Sequence, residues 1–244
     1  MTITIDPTVH RHLHHIAALQ SPWHRWGHQL RLRWQRLEWW HARRGAAIAK
    51  RTLDIIGSGC ALLLLAPLFL LILIAIRWED GRPVVFAQTR VGRGGRLFKM
   101  YKFRSMHPDA ELRLQDLLTS NQHSTGITFK LKDDPRITRV GKWLRKFSFD
   151  ELPQFFNVLI GDMSLVGPRP PVPREVSLYT LADRRRLAVL PGITCIWQIS
   201  GRAEIDFQGQ VKLDVRYIET QSLWQDIRIL AQTIPAVASG SGAY

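Results

Sequence analysis

Between Ile55 and Ile76 the chain runs for 22 residues without a charge, and this run constrains the fold more than any other stretch. At about 1.5 Å of rise per residue, one helix of that length reaches across the roughly 30 Å hydrocarbon core of a bilayer. Length alone predicts a transmembrane helix. Two features point elsewhere. Pro67 lies near the middle, where it removes a helix hydrogen bond and crowds the preceding turn. Both flanks are also basic, with Arg43, Arg44, Lys50 and Arg51 before the run and Arg77, Arg82, Arg90, Arg93 and Arg96 after it. Positive flanks stay in the cytoplasm, so a straight span would strand one of them outside. A helix that enters, breaks at Pro67 and returns keeps both on one side, and each limb then has the ~10–14 residues of a re-entrant segment. Carbonyls freed at the break need partners from the other limb or an adjacent helix.

The second constraint is Ser148 to Pro170, SFDELPQFFNVLIGDMSLVGPRP. Asp150 and Glu151 stand just before Leu152, Phe155, Phe156 and Leu159, which recur at the spacing of a helix with one buried face. Two registers are open. Ser148 with Glu151 spells a capping box, a purely structural feature. Pro153 argues against it, because with Ser148 as N-cap its missing N–H would fall past the free first turn. With Asp150 as N-cap, Pro153 does no harm, and the carboxylate stands at the positive end of a helix, where phosphate is also favoured. Gly167-Pro168-Arg169-Pro170 then displays a guanidinium on a stiff, non-helical segment, and a planar donor fork suits phosphate oxygens. A solvated arginine in a proline-rich loop is the plain alternative.

The blocks DPRITRVGKWLRKFSFDELPQFFNVLIGDMSLVGPRP, MYKFRSM and LPGITCIWQISGR together resemble the catalytic domain of bacterial sugar transferases, the monotopic phosphoglycosyl transferases that use polyprenyl phosphate. The resemblance runs from about Lys50 to Tyr244. It implies transfer of a hexose 1-phosphate from a UDP-hexose to undecaprenyl phosphate with Mg²⁺, at the bacterial inner membrane, with the active site and both termini cytoplasmic, as the first membrane step of exopolysaccharide, capsule or O-antigen assembly. By resemblance the mechanism is ping-pong, with Asp150 as the nucleophile and UMP leaving. A carboxylate suits that role because it can form an acyl phosphate. Glu151 would position Mg²⁺ or accept the lipid phosphate's proton, and both carboxylates are the expected metal ligands, completed by substrate phosphates. Lys102, Arg104, Arg136, Arg145, Pro168, Arg169 and Pro170 are the expected substrate-binding residues. Lys50-Arg51-x-x-Asp54 matches the basic-acidic motif with which such membrane helices begin, and Pro67 matches their break. Ala66 stands where many members have Ser, and Cys195 where Gly is common.

The formal charge of +14 predicts anionic partners, whether anionic phospholipid, phosphorylated substrate or nucleic acid. Cys60 and Cys195 lack any disulfide framework or zinc-ligand spacing. His10, His12, His14 and His15 are a weak metal candidate at the N-terminus. Residues 1 to 50 contain no signal-peptide core. Within them Trp23, Trp26, Leu30, Trp34 and Leu37 form a helical stripe edged by arginines, which fits a helix lying in a membrane interface or one packing on the domain or on a second copy. A homodimer stays open. The rival from another class is a membrane-tethered nucleic-acid-binding protein, suggested by charge and by Trp among Arg, but without a binding motif or a use for the dyad. A non-catalytic scaffold is the third option.

Val84 to Gln88 and Leu97 to Phe103 read as strands joined through glycines, with alternation placing Lys102 and Arg104 on one face. Ala110 to Leu118 reads as a short helix. Asp134 to Arg139 opens a turn into a basic helix carrying Arg145 and Lys146, and ITCIWQIS reads as strand-like. Phe207, Val211, Val215 and Ile218 mark one amphipathic helix, and Leu223 to Ile234 another, ended by Pro235. The expected fold class is α+β, mostly helical, with a basic arm (1–48), a re-entrant helix (49–77) and a cytosol-facing catalytic domain (78–244).

Overall fold

The computed structural model describes residues 45–110, 112, 134–201 and 205–239. Contacts divide the chain into two compact units, Met1–Ala49 and Lys50–Tyr244. The helix expected over the Trp-rich stretch, the N-terminal histidines and nearly all of the helix expected over Ala110–Leu118 lie outside the described residues.

The long apolar run is two helices, α1 (Gly45–Leu64) and α2 (Ala66–Asp80), bent by 60°. Among the described residues no single helix is long and apolar enough to cross a membrane, whereas this bent pair passes by length and composition together. The break falls at Leu65, and Pro67 occupies the first turn of α2. That is where a proline fits, since its missing N–H is one a helix start leaves free.

Strands β1 (Val85–Val91) and β2 (Leu97–Phe103) form the expected antiparallel hairpin. Gly94 and Gly95, at φ 67° and 86°, make its turn in a region that favours glycine. Helix α3 (Arg139–Lys146) begins at Thr138, whose Oγ1 accepts the Gly141 N–H at 2.9 Å. After a 3-10 turn at Phe149–Glu151 comes α4 (Gln154–Ile160). A short parallel pair follows, β3 (Ser164–Val166) with β4 (Gly192–Thr194). The helices α5 (Pro173–Ser177), α6 (Ile196–Ser200), α7 (Phe207–Thr220) and α8 (Leu223–Ser239) complete the unit. The architecture is α+β and mostly helical, as expected.

Two boundaries differ from expectation. ITCIWQIS is strand only to Thr194; from Ile196 it is helix, with Cys195 the extended residue at the switch. Pro235 lies inside α8 instead of ending it. Ala231, one turn before it, is exposed, so a carbonyl that loses its helical donor to the proline lies where solvent can reach it.

One core joins Phe98 and Met100 of β2 with Val158 of α4, Leu165 and Val166 of β3, Tyr217 of α7 and Ile229 of α8. A second joins Ile72 and Ile76 of α2 with Phe103 and Leu144. The apolar run thus packs one face on the domain through α2, and Phe69 meets Phe103 edge-on at 5.2 Å between centroids. The motif that opens α1 fixes the other limb. Lys50 bonds Asp226 at 2.7 Å, Arg51 bonds the carbonyls of Val158 and Leu159, and Asp54 accepts from Ser164 Oγ and the Leu165 N–H. These three residues, expected to mark the membrane boundary, fasten the helix to the domain.

Candidate active site

Asp150 and Glu151 lie in the 3-10 turn between α3 and α4, not at a helix N-cap. Helix α4 starts three residues later behind Pro153, which takes the N-cap position itself, and Ser148 makes no capping hydrogen bond. Neither expected register forms. Ser148 adopts φ 55°, the only positive φ outside glycine among the described residues. This left-handed residue ends α3 as a glycine usually would and reverses the chain just before the dyad, at a cost of about 1–3 kcal/mol in local strain.

Lys102, from β2, donates to Glu151 Oε1 at 2.8 Å and stands 3.8 Å from Asp150 Oδ2. Arg169, from the Gly-Pro-Arg-Pro segment, donates to the same Glu151 oxygen at 3.1 Å. Glu151 is thereby fixed by two cations, while among the described residues no hydrogen bond reaches the Asp150 carboxylate. Arg169 is braced on both sides. The Pro168 carbonyl accepts the Gly192 N–H at 2.9 Å, and the Pro170 and Pro171 carbonyls accept Arg90 Nη1 and the Val91 N–H, each at 2.9 Å. Gly167 and Gly192 pass so close that a Cβ on either would strike the other segment's backbone.

These surroundings separate the two carboxylates. Burial pushes Asp150 up from its ordinary value; Lys102 opposes that shift, Glu151 adds to it, and Arg145 and Arg169 oppose it further. Burial also acts upward on Glu151, but Lys102 and Arg169 outweigh it and hold that group well below the usual carboxylate range. Glu151 is therefore held as an anion by these two cations. Lys102 is lowered, burial outweighing the pull of Glu151 and Asp150. Asp150 is the carboxylate left without a hydrogen bond among the described residues and with its pKa raised by burial.

Two expected substrate-binding arginines are elsewhere. Arg104 follows the last residue of β2, so strand alternation no longer governs it. Its Nη2 donates to the Asp80 carbonyl at 2.6 Å and pairs with the Asp80 carboxylate at 3.1 Å, at the end of α2. Arg136 is buried, with Nε and Nη2 on the Asp134 carboxylate and Nη1 on the Ala110 carbonyl. The Arg136 guanidinium is consumed in structure, whereas Arg104 is engaged through Nη2 alone and keeps its buried Nε and Nη1 without a partner among the described residues. Arg145 acts on Asp150 through its charge, and Lys102 and Arg169 meet at Glu151, with Pro168 and Pro170 flanking the arginine.

Arg90 was visible in the sequence only as a basic flank. Gln88 Oε1 accepts from its Nε at 3.1 Å and its Nη2 at 2.6 Å, which aims it at the proline segment. Burial and the nearby Arg169 lower it to about 10. Its signal was the Gln-x-Arg alternation on β1, which the register places on the Lys102 face. Asn157 was also missed. Fully buried, it accepts the Tyr101 N–H at 2.9 Å and donates to the Lys99 carbonyl at 2.7 Å, pairing α4 to the free edge of the strand that carries Lys102. A lone amide within the apolar FFNVLI run was the available hint.

Among the described residues no group of three or more His, Cys, Asp or Glu side chains could hold a metal ion. The dyad still fits a hard divalent cation, which binds one or two carboxylates and takes its remaining ligands from water and substrate phosphates. Both hydrogen bonds to Glu151 fall on Oε1, leaving Oε2 and the Asp150 oxygens as donors.

Residues 45–240 match the bacterial sugar transferase family. The galactosyl transferase CpsE of Streptococcus agalactiae serotype III is 55% identical over 197 residues, covering 80% of this chain and 43% of that protein. The exopolysaccharide production protein ExoY of Sinorhizobium fredii is 42% identical over 200 residues, covering 81% of this chain and 88% of that protein. The undecaprenyl-phosphate galactose phosphotransferase of Salmonella typhimurium is 44% identical over 206 residues, covering 83% and 43% respectively. The chain thus spans less than half the length of two of these relatives and most of the third. It belongs to the bacterial sugar transferase family. That membership favours the enzyme over the nucleic-acid-binding reading.

Proposed function

We propose that the protein is a phosphoglycosyl transferase that moves a hexose 1-phosphate from a UDP-hexose to undecaprenyl phosphate by way of Asp150. The observation that carries this is the pairing of one carboxylate fixed by Lys102 and Arg169 with a second, buried carboxylate whose oxygens stay open. The name of one relative, an undecaprenyl-phosphate galactose phosphotransferase, supports the lipid acceptor and the sugar-phosphate group, and another, a UDP-galactose-lipid carrier transferase, supports a UDP-hexose donor.

In the first half-reaction an Asp150 oxygen attacks the sugar-bearing phosphorus. The bond from that phosphorus to the bridging oxygen breaks, and UMP departs with the electron pair. In the second half-reaction an oxygen of the lipid phosphate attacks the same phosphorus, and the acyl phosphate bond breaks to restore the carboxylate. Arg169, Lys102 and Arg145 offset diphosphate charge, and Glu151 holds the first two in place. Mg²⁺, held by Asp150 and Glu151, would supply further charge neutralisation.

The bent helix pair is the membrane element of this reading. Leu63, Leu64, Leu70 and Leu71, around the bend, are each more than half exposed and find an apolar solvent only in lipid. Both termini and the site then face the cytoplasm, beside an anionic phospholipid surface that suits the chain's charge. Single cysteines at residues 20 and 240 should both be shielded from an impermeant reagent in intact cells, and labelling of just one would mean a spanning helix. Pro67→Leu, which restores a continuous apolar helix, should favour that span.

The chemistry is tested by mass spectrometry of the Asp150 peptide after mixing with UDP-sugar and Mg²⁺ in the absence of lipid. A phosphosugar adduct, with UMP released from at least one of a panel of UDP-hexoses, is the expected result. Full-rate transfer with no adduct would replace the ping-pong scheme by direct attack of the lipid phosphate.

A further inference from the structure

We propose that Glu79 and Arg51 are positioning residues for the reaction at Asp150: one on each limb of the bent helix, they clamp the two helices between which the dyad is held. The inference rests on the transferase reading for its kinetic consequence and on geometry alone for the clamp.

Glu79 lies at the C-terminal end of α2. Its Oε1 accepts the Arg139 N–H at 2.8 Å and its Oε2 the Val140 N–H at 3.0 Å. Of the other two open donors at this helix start, the Gly141 N–H is taken by Thr138 Oγ1 at 2.9 Å and the Thr138 N–H by the Ser105 carbonyl at 3.2 Å. Two of the four amides that any helix start leaves open are thus closed by a carboxylate from another element, and its charge faces the positive end of the helix.

Arg51, on α1, makes the reverse contact. Its Nη1 donates to the Val158 carbonyl at 2.7 Å and its Nη2 to the Leu159 carbonyl at 2.8 Å, placing a cation on the negative end of α4. Gly161 ends that helix at φ 96°, and a Cβ there would come within 3.3 Å of Arg51 Nη2, so glycine serves both the turn and the guanidinium.

Helix α3 has 8 residues and α4 has 7, too few to be stable alone, so tertiary contacts decide where they lie. Residues 147–153 join them and carry the left-handed Ser148 and the dyad. The outer end of each helix is therefore held by the membrane element, and the inner ends meet at the reaction centre. Arg104 strengthens the α2 side, tying the Asp80 and Gly81 carbonyls to the end of the strand that carries Lys102. Because α1 and α2 meet at Leu65, the two jaws belong to one bent rod.

A clamp needs both jaws, and the test uses that logic. Wild type, Glu79→Ala, Arg51→Gln and the double variant are compared as full chains in lipid nanodiscs, by UMP release from UDP-sugar and by Tm. Each single change should lower kcat on the order of tenfold with little change in KM, as displacement of a reacting group does. The double variant should be no slower than the poorer single, since one open jaw already frees the turn. Glu79→Gln, which keeps a carbonyl acceptor, should recover part of the loss. Thr138→Ala, which weakens the same helix end without touching α2, should lower Tm while kcat stays near wild type. Spin labels on Lys142→Cys and Phe156→Cys, in a Cys60→Ser background, should show a broader distance distribution in both single variants. Losses that multiply in the double variant mean independent sites and overturn the clamp, as do losses that simply track Tm or label distances that do not change. If wild type releases UMP from no UDP-sugar, the transferase reading fails, and the label distances still decide the clamp.

Discussion

Two lysine–carboxylate pairs of nearly equal length lie within this domain, Lys50–Asp226 at 2.7 Å and Lys102–Glu151 at 2.8 Å. The first is closed. Lys50 Nζ also donates to the Val166 carbonyl at 3.1 Å, and Asp226 takes the Tyr217 hydroxyl on its other oxygen at 2.7 Å. Burial, then Asp226, pushes that hydroxyl up, so it stays a neutral donor. One cation meets one anion, and a third group satisfies what remains. The second pair is open. Glu151 is shared by Lys102 and Arg169, Arg90 stands close enough to Arg169 to be lowered by it, and Asp150 accepts no hydrogen bond among the described residues. The closed network thus satisfies every partner within the fold, while the open one leaves the Asp150 carboxylate, buried beside three cations, without a hydrogen bond among the described residues.

Matched substitutions separate the two most sharply. Asp150→Asn keeps shape and removes the attacking charge, so turnover should fall at least about a thousandfold and no adduct should form, while Tm changes little. Asp226→Asn makes the same chemical change in the closed network. It leaves the half-buried Lys50 without its counter-charge and should cost about 1–3 kcal/mol of stability, read from the urea midpoint. Turnover per folded molecule should stay within about twofold of wild type. An Asp226→Asn protein of normal stability and no activity would break the distinction. Arg169→Lys comes next, with an expected loss on the order of a hundredfold in kcat, because a point-like ammonium cannot serve Glu151 and a phosphate together. Near-normal kinetics would leave Lys102 as the principal cation.

The same contrast explains what the sequence disclosed. Local chemistry was legible where one short segment carries it. Pro67 broke the apolar run, the turn from Asp134 opened the basic helix α3, the glycines made the hairpin turn, and the proline segment displayed Arg169. What failed were residues whose backbone conformation or side-chain partner is not specified by spacing or charge pattern, whether that partner is near or far in the chain. Asp150 looked like an N-cap because spacing cannot show that Ser148 turns left-handed and Pro153 delays the helix. Arg104 and Arg136 looked like anion binders because a charge pattern does not show that Asp80 and Asp134 already occupy them. Arg90, Asn157 and Glu79 each work across a tertiary contact, 80, 58 and 60 residues from a partner. Periodicity within one element carries no trace of such distances.

The smallest effect sharpens the comparison most, because it asks for a sign. Asp150 must be ionised to attack phosphorus, and burial raises its pKa, so kcat/KM for UMP release should rise with pH through a point above the ordinary carboxylate range. Glu151 contributes to that rise. Removing its charge in Glu151→Gln should therefore move the acid limb to lower pH, even as the plateau falls. Lys102 opposes the rise, so Lys102→Met should move the limb to higher pH. Lys50→Met removes an equal charge from the closed network, where no contact leads to Asp150, and should leave the limb in place. The measurement is the pH profile of kcat/KM, which reports groups in the free enzyme and so isolates the donor half-reaction. Opposite displacements from the two partners of one salt bridge require that both act on a third group whose ionisation limits the rate. Displacements in the same direction, or none, would mean that the limb belongs to another group and that Asp150 is not the nucleophile.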